Sequence, residues 1–361
     1  MNQRDGMNYA PESAGTEKVV GPGEFPFAAA FLDHGHINGQ VKGLLEAGGE
    51  CRYVYDPQPE RAKALAEKFG GIQVVESFER ILDDPEIQLV AGAAVPSERC
   101  GIGLRVLEAG KDYFTDKSPF TTLEQLEKAK EAVKRTGRKY MCYYSERIHT
   151  EAGFYAGELI RKGAIGDILQ VLIMAPHNLN KPSRPDWFFD KEKYGGILTD
   201  IGSHQFEQFL TYTGAKDAKV RFARVANFAN ADKPGLEDFG EASLEADNGA
   251  SCYCRLDWFN PKGLRTWGDG RTFILGTKGT MEVRKYIDLA SEPKESQVIY
   301  LVDAEGEKRI PCAGKVGFPF FGKLIRDVLD RSETAMTQDH CFKAAELAMR
   351  AQAVADGCKP A

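Results

Sequence analysis

The chain has 361 residues, beyond the roughly 250–300 at which single hydrophobic cores stop growing, so two domains are expected. Charged residues are 28% and hydrophobic residues 42%, a globular balance, and the formal net charge of -6 argues against a nucleic-acid binder working through a broad basic surface. No apolar run reaches the roughly 18 residues needed to span a membrane, and no basic-then-apolar leader is read at the start.

Residues 1–24 are rich in Gly, Pro, Ser and Glu without periodicity and are expected to form a flexible arm. An apolar run at 27–32 then reads as a buried parallel strand. The turn Asp33-His34-Gly35-His36 follows, and 37–47 carries apolar residues at 37, 41, 44, 45 and 47, a helical stripe. Gly48-Gly49 ends that helix, 51–55 reads as a second strand, and Asp56 closes it. Strand, glycine turn, helix, strand and acid follow one another as in a dinucleotide-binding unit. The turn allows a pyrophosphate close to the backbone, the helix N-terminus favours its charge, and the acid suits ribose hydroxyls. Asp33 and Asn38 occupy two of the three fingerprint glycine positions. Asp33 would repel a pyrophosphate unless its side chain turns away or caps the helix.

Helices are expected over 60–69, 102–109 and 122–136, the last capped by a threonine, and strands over 72–75, 88–95, 113–115 and 140–144. Alternation over about 120 residues predicts a doubly wound sheet, whose ligands bind beyond the strand C-termini. Asp56, Pro96, Lys117 and the segment Ser145 to Arg147 all fall at such ends.

The pattern changes near residue 148. A helix (152–162) and a strand (168–175) lead into a long polar and aromatic loop, 177–194, of a length that usually marks function. Its His177, Arg184, Asp186 and Trp187, with Arg147 before it, form a candidate wall for a polyhydroxylated ligand; the plainer alternative is a surface loop pinned by aromatic residues. Next, Gly195-Gly196 precedes a helix carrying Asp200 and His204, one turn apart on one side. A carboxylate beside an imidazole makes a proton-transfer pair, although such pairs also arise by chance. From 219 to 302 the chain is strand-rich with Gly and Asp turns, and helices are expected over 320–329 and 338–354. The eight cysteines include no CxxC pair and the six histidines are scattered, so the thiols read as reduced core residues of a cytoplasmic protein and no metal site is expected.

Three motifs give the chain a family resemblance from about residue 27 to 357. They are the turn Gly35-His36-Ile37, the run Asp116-Lys117-Ser118 before a helix start, and Gly195-Gly196 through Asp200 to His204. Together they resemble the glucose-fructose oxidoreductase / inositol dehydrogenase (Gfo/Idh/MocA) family. The resemblance implies an α/β protein with a Rossmann NAD-binding domain (25–147). It also implies an α+β substrate and oligomerisation domain with a large open, mostly antiparallel sheet (148–330), followed by a C-terminal helix (331–361). Gly35, His36, Ile37, Asp56, Pro96 and Lys117 would contact the cofactor, NAD in preference to NADP because Asp56 would repel a 2'-phosphate. Lys117, Asp200 and His204 would be catalytic. The implied activity moves a hydride between the nicotinamide and a secondary hydroxyl of a sugar, sugar derivative or cyclitol. The implied alternatives are an NAD-dependent glycoside hydrolase or lyase using transient oxidation, and a non-catalytic cofactor-binding regulator. A homodimer or homotetramer is expected, with no nucleic-acid or membrane partner. Ser118 stands where the family motif has proline.

Overall fold

The computed structural model describes Met7, Pro11 and residues 16–291 and 296–357. Two compact units emerge: Met7–Tyr143 with Phe318–Cys341, and Tyr144–Gly317 with the chain from Phe342 onward. The change expected at 147/148 falls instead between Tyr143 and Tyr144, so Ser145 to Arg147 open the second unit. The helices expected over 320–329 and 338–354 are Pro319–Asp330 and Gln338–Ala355, and the division of the chain falls within the latter.

The first unit is built on a parallel sheet of β1 (Pro26–Ala30), β2 (Glu50–Tyr55), β3 (Gln73–Val74), β4 (Leu89–Gly92), β5 (Asp112–Asp116) and β6 (Tyr140–Tyr143), in the order 3-2-1-4-5-6. β1 is buried along its whole length because it lies between β2 and β4 with helices over the sheet, which is why its sequence is continuously apolar. The order reverses at β1, so the crevice beyond β1 and β4 is the topological switch point. The helix Ile37–Glu46 packs on Pro319–Asp330 at Gly43, where a Cβ would lie 2.3 Å from the Phe321 ring. β6 is an edge strand, and the Gln338 side chain closes it by accepting from the Tyr140 N–H (2.8 Å) and donating to its C=O (2.7 Å).

The flexible arm expected over 1–24 lies largely outside the described residues. Part of what is described is packed: the Val19 N–H donates to Ala47 O at 3.0 Å, and Val20 is buried over the Gly48 turn. Two valines in a polar stretch sufficed for docking, a signal too short to show periodicity.

The second unit carries an eight-stranded sheet. Its strands are β7 (Ile168–Pro176), β8 (Ala218–Ala226), β9 (Phe239–Ala246), β10 (Ser251–Asp257), β11 (Arg271–Gly276), β12 (Gly279–Arg284), β13 (Val298–Asp303) and β14 (Gly306–Pro311), ordered 14-13-12-11-7-10-9-8. All neighbours are antiparallel except β7 and β10. In that parallel register Cys252, Cys254 and Leu256 stand beside Val171, Ile173 and Ala175, and all six are buried on the face that carries the helix Gly202–Thr213. The opposite face exposes Phe222, Phe273, Leu275 and Val302. The seven described cysteines are buried. No helix among the described residues is long and apolar enough to cross a membrane.

Candidate cofactor and catalytic sites

After β1 the chain turns sharply, with Phe31 in the left-handed region (φ 58°) and the His34 N–H donating to Ala93 O beyond β4 at 2.8 Å. The helix Ile37–Glu46 begins with no acidic residue in its first turn and no side-chain cap; its leading N–H groups, Ile37 to Gln40, turn back on the carbonyls of His34, Gly35 and His36, and the positive end of the helix dipole is what favours an anion there. Asn38, at a fingerprint glycine position, ties the turn together by donating to Gly35 O (2.9 Å) and accepting from Lys68 (2.7 Å).

The acid expected to disturb this site is neutralised. Asp33 turns to Arg61, whose guanidinium donates to it over 2.6 Å and stands 3.8 Å from Asp56. Asp56 is buried and accepts the backbone N–H groups of Leu32 (2.6 Å) and Gln58 (2.8 Å). Burial pushes the Asp56 carboxyl up, against the opposing pull of those N–H groups and Arg61. Pro96 is buried at the start of a short 3-10 turn that runs into the helix Arg99–Glu108.

Lys117, buried at the end of β5, sits in a charged cluster that sequence reasoning missed. Asp116 before it is fully enclosed and receives His36 Nδ1 (2.8 Å) and Arg99 Nη2 (3.2 Å), with His34 Nδ1 standing 3.3 Å away. Burial alone would push its carboxyl up, but His36, Arg99 and His34 outweigh that and hold it well below the usual carboxylate range. Arg99, fully buried, also donates to the carbonyls of Ala94 (2.7 Å), Lys117 and Ser118 (3.0 Å), pinning the backbone on both sides of the lysine. The Lys117–Ser118 peptide is cis. The ligating atoms of His34, His36 and Asp116 lie within 4.8 Å of one another, a spacing that would interest a metal. Here, however, Arg99 supplies the positive charge and His34 Nδ1 already accepts the His36 N–H (3.1 Å), so the cluster reads as a network that orients His36. The one sequence signal for Arg99 was its place on the inward face of a helix, in line with Ile102 and Val106.

In the second unit, Gly195 and Gly196 adopt positive φ (87° and 91°) at the entry to the helix Ile197–Asp200, which runs almost directly into Gly202–Thr213. A Cβ on Gly196 would lie 2.3 Å from the Gln352 side chain. That close approach lets Gln352 accept the Leu198 N–H (3.1 Å) while Glu237 accepts the Ile197 N–H (2.8 Å), so the first helix donors are satisfied internally. Asp200 and His204, buried and one turn apart, are carried on this anchored segment. The Tyr144 ring meets His204 edge-on at 6.4 Å.

The residues expected to form the substrate wall take the following places. Arg147 is buried with both Nε and Nη2 on the Glu207 carboxylate (Nε–Oε1 2.7 Å), so its charge is consumed inside the unit. Arg184 folds back on its own loop, donating to Leu179 O (2.8 Å) and lying over the Phe188 and Trp258 rings. His177 is half-buried between Trp258 and Trp267, with Nδ1 on Ala175 O (3.0 Å) and Nε2 3.3 Å from Glu146. Asp186 is exposed and Trp187 half-buried in the 3-10 turn Asp186–Phe189. Arg184 and His177 help pin the loop, their polar groups bonded to backbone carbonyls and their bodies set against aromatic rings.

Behind His177 lies a second group that was not foreseen. Glu146 and Lys285, 2% and 0% exposed, pair at 2.7 Å. Gln205 donates to the same Glu146 oxygen (3.1 Å), and Lys285 also donates to Gln208 (3.1 Å). Burial would raise the Glu146 carboxyl, but Lys285 and the imidazoles of His177 and His204 hold it well below the usual range.

The class follows from the first unit. A 3-2-1-4-5-6 parallel sheet with a tight turn into a helix after β1 and a buried acid after β2 is the frame of a dinucleotide-binding domain. Residues 19–144 match the family model described as oxidoreductase family, NAD-binding Rossmann fold, and residues 155–282 match the GFO/IDH/MocA C-terminal domain. The chain belongs to the GFO/IDH/MocA oxidoreductase family.

It is 45% identical to a crystal structure described as an oxidoreductase from Erwinia carotovora atroseptica, with 91% of this chain and 98% of that one covered at a TM-score of 0.88. It is 25% identical to the scyllo-inositol 2-dehydrogenase (NAD(+)) of Bacillus subtilis, over 69% of this chain and 70% of that protein. It is also 30% identical to the levoglucosan dehydrogenase of Pseudarthrobacter phenanthrenivorans, over 42% of this chain and 40% of that protein.

Proposed function

We propose that this protein is an NAD-dependent dehydrogenase that oxidises a secondary hydroxyl of a sugar, sugar derivative or cyclitol. The carrying observation is the anchored helix that presents Asp200 and His204 one turn apart, in a chain whose other unit ends β5 in a backbone-pinned Lys117. Relatives named as inositol and levoglucosan dehydrogenases support the substrate class.

NAD fits the residues present: an uncapped helix start without acids, an Asp33 already matched by Arg61, and Asp56 suited to ribose hydroxyls. When bound, it supplies the hydride acceptor. His204 accepts the hydroxyl proton as general base and returns it in the reverse direction. Lys117 stabilises the developing alkoxide by its charge. Asp200 orients a neighbouring hydroxyl and biases the imidazole. Asp186 and Trp187 are the remaining candidates for the substrate wall. A second copy of the chain is proposed to cover the sheet face that exposes Phe273, Leu275 and Val302, giving a homodimer or homotetramer that gel filtration would size.

The test incubates purified protein with NAD+ or NADP+ and a panel of inositols, aldoses, anhydrosugars and glycosides, reading nicotinamide fluorescence and product mass together. Substrate-dependent NADH formation is expected, and K117M and H204N should each lower turnover by roughly 10²- to 10⁴-fold while sparing cofactor affinity. Glycoside cleavage without NADH release would replace this reading with the transient-oxidation one. Absence of NAD binding would replace it with a regulator.

A further inference from the structure

We propose that Glu146 and Lys285 are positioning residues for proton transfer: an opposed pair of buried charges that balances the His204 imidazole between its neutral and charged forms. The proposal rests on the reading of His204 as the base. Both side chains are sealed from water, so their fields reach neighbours with little screening. Their contacts converge on the helix that bears His204. Glu146 accepts from Gln205, the next residue, at 3.1 Å, and Lys285 donates to Gln208, whose amide donates in turn to His204 O at 3.0 Å.

A purely structural role would not need charge here. The gap between the short helix Ser145–Ile148 and Gly202–Thr213 could be filled by apolar side chains, and a buried ion pair often adds no net stability over them. The Glu146 carboxylate also acts on two imidazoles, His177 at 3.3 Å from Oε1 and His204 through space, so a proton gained on either is felt by the carboxylate.

The other charged groups on elements packed against this helix are largely spoken for. Arg147 is closed by Glu207, Arg255 by Asp257 (3.0 Å) and Arg161 by Glu158. Glu151 accepts three N–H groups from the segment 314–317. Burial pushes Tyr212 up, and the hydrogen bond with Cys254, then burial, pushes Cys252 up, so both stay neutral. Asp200, one turn before His204, is the remaining charge and stays constant in the variants below.

The test is an NMR pH titration of the His204 imidazole in the full chain, its signal assigned by loss in H204N. It is run on wild type, E146Q, K285M and the double variant E146Q/K285M. Removing the carboxylate should lower the midpoint by ~0.5–1 pH unit and removing the ammonium should raise it by a similar amount. The double variant should return close to wild type. A midpoint that does not move in the single variants, or moves the same way in both, overturns the proposal. Should only the double variant fold, a midpoint close to wild type supports the cancellation and a displaced one overturns it. The pH profile of kcat/KM separates the two readings. If the titration moves as expected and the profile does not follow, the charge pair stands and the assignment of His204 as base fails.

Discussion

The Asp33 carboxylate and the Arg61 guanidinium meet at 2.6 Å beside the turn that follows β1, and the same guanidinium lies 3.8 Å from Asp56. One cation thus serves two acids at the place where a dinucleotide would bring further negative charge. Replacing Arg61 by alanine should raise the NAD dissociation constant about 3- to 10-fold at low salt, with a smaller effect at high salt because the site is partly exposed. Adding D33N should recover most of the loss. Fluorescence titration of the three proteins decides it, and unchanged affinity in R61A would mean that Arg61 does not shield the turn.

Gly196 combines a φ of 91° with a backbone that touches Gln352. Gly196→Ala should destabilise the protein by about 1–3 kcal/mol, since strain and a clash act together. It should also disturb Asp200 and His204 by loosening the Leu198–Gln352 bond. Urea unfolding would show the first effect and turnover the second.

Acid should unfold this protein earlier than its net charge suggests, because two groups of the β1 turn cluster act with the same sign. Burial, then His36, lowers the His34 pKa well below its ordinary value near 6.5, and Asp116 is held below the ordinary carboxylate range near 3.9. In each case the unfolded chain takes up its proton first as pH falls. The stabilisation is therefore complete above the unfolded value and is lost as pH falls through the folded one. Urea midpoints should hold above pH ~6.5, decline from there for His34, and decline again below pH ~4 for Asp116. His34→Asn, which keeps an acceptor for the His36 N–H, should flatten the first decline and lessen the second, since His34 helps hold Asp116 down.

Arg147 and Glu207 form a buried pair, so removing one partner strands the other charge. R147M should cost about 3–5 kcal/mol and R147M/E207L should regain most of it, with KM little changed in the double variant. A raised KM at intact stability would instead put Arg147 on the substrate.

Much of the fold was legible because burial leaves local marks. A strand enclosed on both faces must be continuously apolar, as β1 is, and one covered on a single face alternates, as β10 does at Cys252, Cys254 and Leu256. A threonine cap was expected for the helix placed at 122–136, and Thr122 itself is that cap, accepting the Gln125 N–H at 3.2 Å. β14 was missed: its charged, exposed residues carry no alternation, and only its hairpin register with β13 makes it a strand. Val19 and Val20 were missed for the opposite reason, two apolar residues being too few to show a period.

The candidate site divides the same way. Asp56, Lys117, Asp200 and His204 could be placed from spacing and motif, because strand ends and helical turns follow from local periodicity. Which acid meets which base could not. Asp33 finds Arg61 and Arg147 finds Glu207 across sequence separations of 28 and 60 residues, and Glu146 finds Lys285 across 139. Sequence alone therefore determined the elements and the residue types they offer. Tertiary structure decided which charges are consumed in pairing, because desolvation makes an unmatched buried charge costly and only the folded chain brings the match within reach.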